Sequence, residues 1–167
     1  MLNNDILRRL RYALDLRDVK MIEAFRNSGY EIDKEKLLSF LKKEDEEGYT
    51  PCNDRIMHLF LDGFIAAKRG QKEEPSAEGQ KSDRHLTNNI ILKKLRIALS
   101  LTGDDVREIL KLAGVSVSKS ELSALFRREG HKHYKECGDQ FLRNFLKGLT
   151  IRNRKADVLT GNKKTVS

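Results

Sequence analysis

Residues 3–14 of the chain read Asn-Asn-Asp-Ile-Leu-Arg-Arg-Leu-Arg-Tyr-Ala-Leu, and residues 88–99 read Asn-Asn-Ile-Ile-Leu-Lys-Lys-Leu-Arg-Ile-Ala-Leu. The two stretches lie 85 positions apart, and the same shift pairs identical residues much further along the chain. These pairs are Tyr49 and Tyr134, Cys52 and Cys137, Asp54 and Asp139, and Gly63 and Gly148. A register kept over such a distance indicates an internal duplication. Only Asp18 and Val19 fit a shift of 87 better, against Asp105 and Val106.

Each copy is predicted to form four helices, because its apolar residues recur at spacings of three and four. The Asn pairs at 3–4 and 88–89 are expected to cap the first helix of each copy. The remaining predicted helices cover 18–27, 33 onward and 53–69 in the first copy, and 104–113, 118 onward and 138–154 in the second. Gly63 and Gly148 fall inside the last helix, where Gly costs about 1 kcal/mol relative to Ala. We therefore expect a close helix crossing at each, near a pseudo-twofold axis.

The sequence thus predicts an all-α protein with two homologous four-helix repeats packed about a pseudo-twofold axis. The first repeat covers residues 1–69 and the second covers 88–154. Residues 70–87 are polar and contain Pro and Gly, which is typical of a linker. Residues 155–167 are predicted to be a flexible tail.

Charge is distributed unequally between the repeats. Residues 1–69 contain 13 Lys or Arg and 13 Asp or Glu, whereas residues 88–154 contain 14 and 7, in a chain of net charge +8. No apolar run is long enough to cross a bilayer, and the first residues do not resemble a secretory signal. Two cysteines are too few for a disulfide framework, so we expect a cytoplasmic protein.

The basic second repeat supplies the candidate binding residues. Its cations Lys93, Lys94, Arg96, Arg127, Arg128, Lys132 and Lys135 form a set that can contact the phosphates of nucleic acid. The alternative is an ordinary solvated surface. The two functions that this leaves open are a non-enzymatic regulatory module that binds a protein in the groove between the repeats, and a nucleic-acid-associated protein. The oligomeric state stays open.

Three more specific hypotheses, a DNA-binding motif, a metal site and a catalytic thiol, have less support in the sequence. A helix–turn–helix over 106–128 has too long a turn for the standard geometry. His131, His133 and Cys137 are metal-ligand types, but no fourth ligand is evident, so no metal or cofactor is predicted. Cys52 and Cys137 stand before a predicted helix, where a thiol can become reactive. A thiol-dependent enzyme lacks a base that recurs in both copies, so the repeated Tyr, Cys, Asp and Gly residues are expected to be structural.

Three segments carry a resemblance to a known family. They are the shared Asn-Asn-x-Ile-Leu-[Arg/Lys]-[Arg/Lys]-Leu-Arg, the Lys-Glu-Asp-Glu-Glu-Gly-Tyr at 43–49, and the Glu-Cys-Gly-Asp-Gln-Phe-Leu-Arg at 136–143. They resemble the YehS-like bacterial proteins, which are tandem-repeat proteins of unknown function. The resemblance covers nearly the whole chain except the linker and tail. It implies a bacterial, cytoplasmic protein with two copies of one domain, and it carries over no catalytic residue.

Overall fold

The computed structural model describes residues 1–69 and 85–159, with side chains as far as Lys155. Over these residues the chain forms helices and no strand, which confirms the predicted all-α architecture of two four-helix repeats. The helices are α1 (Asn3–Leu14), α2 (Asp18–Asn27), α3 (Lys34–Leu41), α4 (Asp54–Arg69), α5 (Asn88–Ala98), α6 (Gly103–Leu112), α7 (Lys119–Leu125) and α8 (Asp139–Leu159). Helix α8 continues past the end predicted at 154, into the segment expected to be a tail. Most of the predicted linker, 70–84, and the end of the tail, 160–167, lie outside the described residues.

The shift of 85 holds through the whole structure. Each helix of the second repeat begins 85 positions after its counterpart, α2 and α6 included. Met21 and Val106 are therefore equivalent, and both are buried, whereas Val19 is exposed. The local fit at a shift of 87 is wrong, because it would align exposed Val19 with buried Val106.

The Asn pairs do not cap the first helices, contrary to the prediction. Leu2 and Thr87 occupy the N-cap positions of α1 and α5, and the Thr87 hydroxyl accepts a hydrogen bond from the amide of Ile90. Side-chain caps form elsewhere, at Asp33 of α3 and Ser118 of α7. The Asn4 and Asn89 side chains are buried instead and form hydrogen bonds with backbone groups.

The two repeats share one hydrophobic core and exchange helix partners across it. Helix α1 packs against α8 of the other repeat, and α4 packs against α5. Within each pair the helices run in the same direction, because contacts join both their beginnings and their later turns. We call these two contacts the α1/α8 seam and the α4/α5 seam. Their equivalence is the pseudo-twofold relation that the sequence predicts.

Gly63 and Gly148 do lie at close helix crossings, but those crossings are inside each repeat. A Cβ atom on Gly63 would lie 1.6 Å from the carbonyl oxygen of Ala24, and one on Gly148 would lie 2.0 Å from that of Ile109. These contacts join α2 to α4 and α6 to α8. The expectation of a contact near the pseudo-twofold axis is therefore corrected: the glycines bring the second and fourth helices of one repeat together.

Candidate anion-binding groove of the second repeat

Asn4 explains why the Asn pair and the Tyr-x-x-Cys segment recur together. Its buried amide nitrogen donates to the carbonyl oxygens of Phe40 and Thr50, both at 2.9 Å. Its amide oxygen accepts from the backbone amide of Cys52 at 3.0 Å and from the hydroxyl of Tyr49 at 3.2 Å. One side chain on α1 thus satisfies the backbone of the loop between α3 and α4, where unpaired polar groups are costly.

Asn89 does the same in the second repeat. It donates to the carbonyl oxygens of Leu125 and Lys135, at 3.0 and 2.8 Å, and accepts from the amide of Cys137 at 2.8 Å. The recurring residues therefore hold the scaffold together.

The repeated aspartates tie the two repeats to each other. Asp54 accepts from the side chain of Asn3 and from the backbone amide of Leu86, the residue that precedes α5. Asp139 accepts in the same way from Asn88 and from the Met1 ammonium. Burial acts to raise the pKa of Asp54, but these hydrogen bonds and nearby His85 hold it below its usual value. The amino-terminal ammonium, followed by Asn88, lowers the pKa of Asp139.

The surroundings of the two cysteines raise the thiol pKa, whereas a reactive thiol needs a lowered pKa. Burial, with a smaller contribution from the neighbouring Asp54 or Asp139, raises the pKa of Cys52 and of Cys137 to about 12. A thiol with such a pKa is protonated at neutral pH and is a poor nucleophile. The hypothesis of a thiol-dependent enzyme finds no support in this geometry.

A groove in the second repeat brings basic side chains together without a carboxylate. It is an open depression of about 410 Å³ between the end of α4, α5 and the end of α7. Its lining residues are Arg69, Lys93, Arg96, Ile97, Ser100, Leu101 and Phe126. We call this depression the basic groove. Since none of its lining residues is acidic, the three cations create a positive potential that is open to solvent.

Arg96 is held in place at the centre of the groove. Its Nε donates to the carbonyl oxygen of Leu101 at 3.1 Å, and its guanidinium carbon lies 4.6 Å from the centre of the Phe126 ring. This cation–π contact and the hydrogen bond restrict the side chain while leaving its charge unneutralised. A fixed arginine loses less conformational entropy when it binds an anion.

A second depression of about 420 Å³ adjoins the basic groove and shares Arg96 and Phe126 with it. It adds two cations, Arg107 and Lys119, and one carboxylate, Asp104. Arg107 is partly neutralised by Asp104, 3.7 Å away, and its Nε donates to the carbonyl oxygen of Val117. The unneutralised charge is therefore concentrated on the side of Lys93 and Arg96.

The first repeat has cations at the positions of Lys93 and Arg96, and it pairs both with carboxylates. Arg8, the counterpart of Lys93, contacts Asp5, and Arg11, the counterpart of Arg96, lies 2.5 Å from Asp18. Asp15 occupies a third equivalent position, at the end of α1. The residues at the corresponding positions of the second repeat are Ile90, Ser100 and Gly103. Three carboxylates of the first repeat are thus missing from the second.

The predicted basic set does not form one site. Lys93 and Arg96 line the groove, while Arg127, Arg128, Lys132 and Lys135 are exposed on the segment after α7. Lys94 is a correction: it is only 7% exposed and forms an ion pair with Asp62 in the α4/α5 seam. It points away from the other cations because position 94 faces α4, so it is not available to a ligand of the groove.

Sequence reasoning missed Arg69, Arg107 and Lys119. Arg69 belongs to the neutral repeat and reaches the groove only because α4 packs against α5. Arg107 and Lys119 come from two different helices of the second repeat. A comparison of the acidic residues between the copies, position by position, would have pointed to this surface.

Two further expectations concern metals and membranes. In the part of the chain that the structure covers, His, Cys, Asp and Glu side chains form no group of three or more that could hold a metal ion. The rings of His131 and His133 pack against each other, while Cys137 is buried beneath Asn89. Among residues 1–69 and 85–159, none of the helices combines the length and apolar character needed to cross a bilayer.

Comparison with known proteins agrees with this architecture. The family described as a protein of unknown function, DUF1456, matches residues 3–70 and again 88–155. The chain belongs to this family. The uncharacterized protein YehS of Escherichia coli strain K12 is 45% identical over 152 residues, which cover 91% of this chain and 96% of that protein. The resemblance inferred from the repeated motifs is therefore confirmed. No solved structure matches the chain significantly.

Proposed function

We propose that this member of the family is a non-enzymatic binding module whose second repeat binds the phosphate backbone of nucleic acid. The observation that carries the proposal is that the two carboxylates paired with Arg8 and Arg11 have no counterparts beside Lys93 and Arg96. Arg11 is paired with Asp18, whereas Arg96 faces Gly103 at the equivalent position. Because a cation without a carboxylate partner remains free to replace the counterions of a phosphate chain, it favours binding to a polyanion.

The surface of the second repeat fits a phosphate chain better than a protein partner. Protein interfaces have an apolar, aromatic centre, whereas phosphate contacts need cations spread over an open surface. The exposed large hydrophobic residues found in the described part of the chain are Leu2, Tyr12, Val19 and Leu38, all in the first repeat. The cations of the second repeat extend from the groove to the segment after α7.

The geometry supports phosphate contact without base reading. Helix α7 has only seven residues and is separated from α6 by residues 113–118, which is unlike a recognition helix set close behind its partner. We therefore expect little preference for sequence.

A salt titration of the 167-residue chain with duplex DNA and duplex RNA tests the proposal. Each phosphate contact contributes about 0.9 to the slope of log K against log salt. The discriminating variant is Gly103→Asp, which places a carboxylate beside Arg96 as Asp18 stands beside Arg11. A Cβ atom at Gly103 has its nearest neighbours at 3.8 and 3.9 Å, which is ordinary van der Waals contact, and one of them is the guanidinium of Arg96.

Gly103→Asn is the matched control, because it has the same shape without the charge. We expect Gly103→Asp to weaken binding and to reduce the slope by about 1, while Gly103→Asn leaves both unchanged. The reciprocal variant Asp18→Asn should strengthen binding by freeing Arg11. Absence of binding at low salt, or equal slopes for the Asp and Asn variants, would refute the proposal.

Protein binding through the first repeat is a second candidate, and it rests on one observation. Tyr12 is 63% exposed and Val19 is 72% exposed, in the repeat whose net charge is zero. Contiguous exposed apolar patches occur at interaction surfaces, and we propose that these two side chains belong to one. Affinity capture from lysate with the nucleic acid digested, using the wild-type chain and Val19→Ser, tests it. A specific partner should remain after digestion and be lost with the variant; a capture pattern that is the same for both chains counts against it.

A further inference from the structure

The two seams between the repeats are equivalent in backbone but differ in charge. Each begins with the same contact: Asp54 accepts from the amide of Leu86 at 3.1 Å, and Asp139 accepts from the nitrogen of Met1 at 2.7 Å. Leu86 and Met1 are themselves related by the shift of 85. Equivalent residues further along the two seams therefore occupy equivalent backbone positions.

In the α4/α5 seam, three residues at such positions form a cluster in which a carboxylate neutralises an ammonium. The ammonium of Lys94 contacts the carboxylate of Asp62 and lies 3.3 Å from Nδ1 of His58. Lys94 is 7% exposed, so its charge is held in the seam by the carboxylate. A buried cation is stable there only because it has an anionic partner.

In the α1/α8 seam the same three positions are all basic. Arg9 corresponds to Lys94, Arg143 to His58, and Lys147 to Asp62. The counterparts meet in the other seam, so the backbone positions of these three cations are neighbours in this one. Like charges on neighbouring positions repel one another, and an anion bound between them relieves the repulsion.

The carboxylates near this cluster are already engaged. Asp5 pairs with Arg8, and Asp139 binds the Met1 ammonium and Asn88. Arg143 contributes weakly to the low pKa of Asp139, and within the described residues it donates one hydrogen bond, to the side-chain oxygen of Gln140 at 3.4 Å. Arg9 and Lys147 have no ion pair within the described chain, and both are exposed.

We infer that the α1/α8 seam binds a phosphate group between Arg9, Arg143 and Lys147. A tetrahedral dianion offers oxygens to several cations at once, and arginine binds it with two parallel hydrogen bonds. The anion takes the place of the Asp62 carboxylate in the other seam. The site is separate from the basic groove, which uses other residues and another pair of helices.

Thermal unfolding of the 167-residue chain in inorganic phosphate tests the inference, with chloride used to hold the ionic strength constant. Binding to the folded state raises Tm by mass action, by roughly 5–10 °C at one hundred times the Kd. Lys147→Asp supplies the carboxylate of the other seam, so we expect it to remove most of the phosphate-dependent rise. Its Tm without phosphate should equal or exceed that of the wild type, which shows that the variant folds.

Two controls separate the seam from other sources of the effect. Lys43→Asp makes the same change of charge on the exposed loop between α3 and α4, and it should keep the full rise. Gly103→Asp alters the basic groove and should also keep it. The inference is overturned if phosphate gives no more stabilisation than chloride, if Lys147→Asp keeps the rise, or if Gly103→Asp abolishes it.

A parallel salt titration with duplex DNA shows whether the phosphate group belongs to nucleic acid or to a small molecule. If Lys147→Asp also lowers the salt slope for duplex DNA, the seam contacts nucleic acid; if it affects inorganic phosphate alone, the ligand is a small phosphate compound. A failure of the proposed function appears as absence of duplex binding in the wild type. That outcome leaves the phosphate-dependent Tm of the seam as an independent result.

Discussion

The first and second repeats bury an equivalent asparagine and expose different charges. Asn4 and Asn89 make the same contacts with the loops below them, and Gly63 and Gly148 admit the same close crossings. On the surface, by contrast, Arg8 and Arg11 of the first repeat are paired with carboxylates, whereas their counterparts Lys93 and Arg96 have no such partner within the described chain. The two copies share their interior, and a few surface carboxylates distinguish them.

The two seams also share a backbone arrangement and differ in charge. The α4/α5 seam is neutralised by Asp62, while the α1/α8 seam has Lys147 at that position. Each repeat thus contributes to one neutralised and one basic surface. Because the backbones of the two repeats are equivalent, each residue has a reference position in the other repeat. A difference in charge between two such positions can then be interpreted as a difference in binding.

The largest effect should come from the glycine crossings. Gly63→Ala and Gly148→Ala force a Cβ atom into a backbone carbonyl, which cannot rotate away, so the helix pair must separate. We expect each to lower the free energy of unfolding by roughly 3 kcal/mol or more, measured by urea denaturation. Gly138→Ala is the control, since nothing lies within 4 Å of its added atom. Near-wild-type stability in either crossing variant would show that the helices are less closely packed than described.

The buried asparagines should rank next. Asn4→Ala or Asn89→Ala leaves two carbonyl groups and one amide without partners, at a cost of about 1–3 kcal/mol for each group that stays dry. We expect a loss of about 3 kcal/mol in both repeats. Asn88→Ala, which removes partly exposed contacts, should cost about 1 kcal/mol in the same denaturation experiment. Equal losses for Asn88 and Asn89 would contradict the central role of the buried amide.

The seams can be compared directly through one pair of substitutions. Asp62→Ala leaves the ammonium of Lys94 in the seam without a carboxylate. We expect it to lower the free energy of unfolding by about 2 kcal/mol, which is less than for a fully buried ion because the site is partly exposed. Lys147→Ala, at the equivalent position, removes a repulsion and should change stability by less than about 0.5 kcal/mol. Unfolding measured at low phosphate separates the two. The comparison fails if both variants are equally stable.

The sequence was sufficient for the helices and their duplication. Apolar residues at helical spacing and a shift of 85, left only at Asp18 and Val19, predicted all eight elements, because both patterns are local or linear properties of the chain. It did not show that α1 also packs against α8 of the other repeat. That contact depends on which apolar faces meet in three dimensions, and helical periodicity alone does not determine this.

The candidate site was only partly predictable for the same reason. Lys93 and Lys94 are neighbours in the sequence, but they point to opposite sides of α5, one into the groove and one into the seam. Arg69 reaches the groove from the neutral repeat. Net charge per segment pointed to the half of the chain that holds most of the groove, but an ion pair between distant positions cannot be predicted without the packing of the helices.

The smallest effect should come from the repeated tyrosines, where the interior symmetry itself breaks. The hydroxyl of Tyr49 donates to the amide oxygen of Asn4 at 3.2 Å, whereas the hydroxyl of Tyr134 has no hydrogen-bond partner within the described residues. Tyr49→Phe therefore removes a bond worth about 1 kcal/mol, while Tyr134→Phe removes a hydroxyl whose contribution is near zero. Double-mutant cycles with Asn4→Ala and Asn89→Ala isolate the two couplings from any general effect of the substitution. A coupling of similar size in both repeats would mean that Asn89 and Tyr134 also meet in solution, and the interiors would then be equivalent, with all asymmetry left to the surface charges.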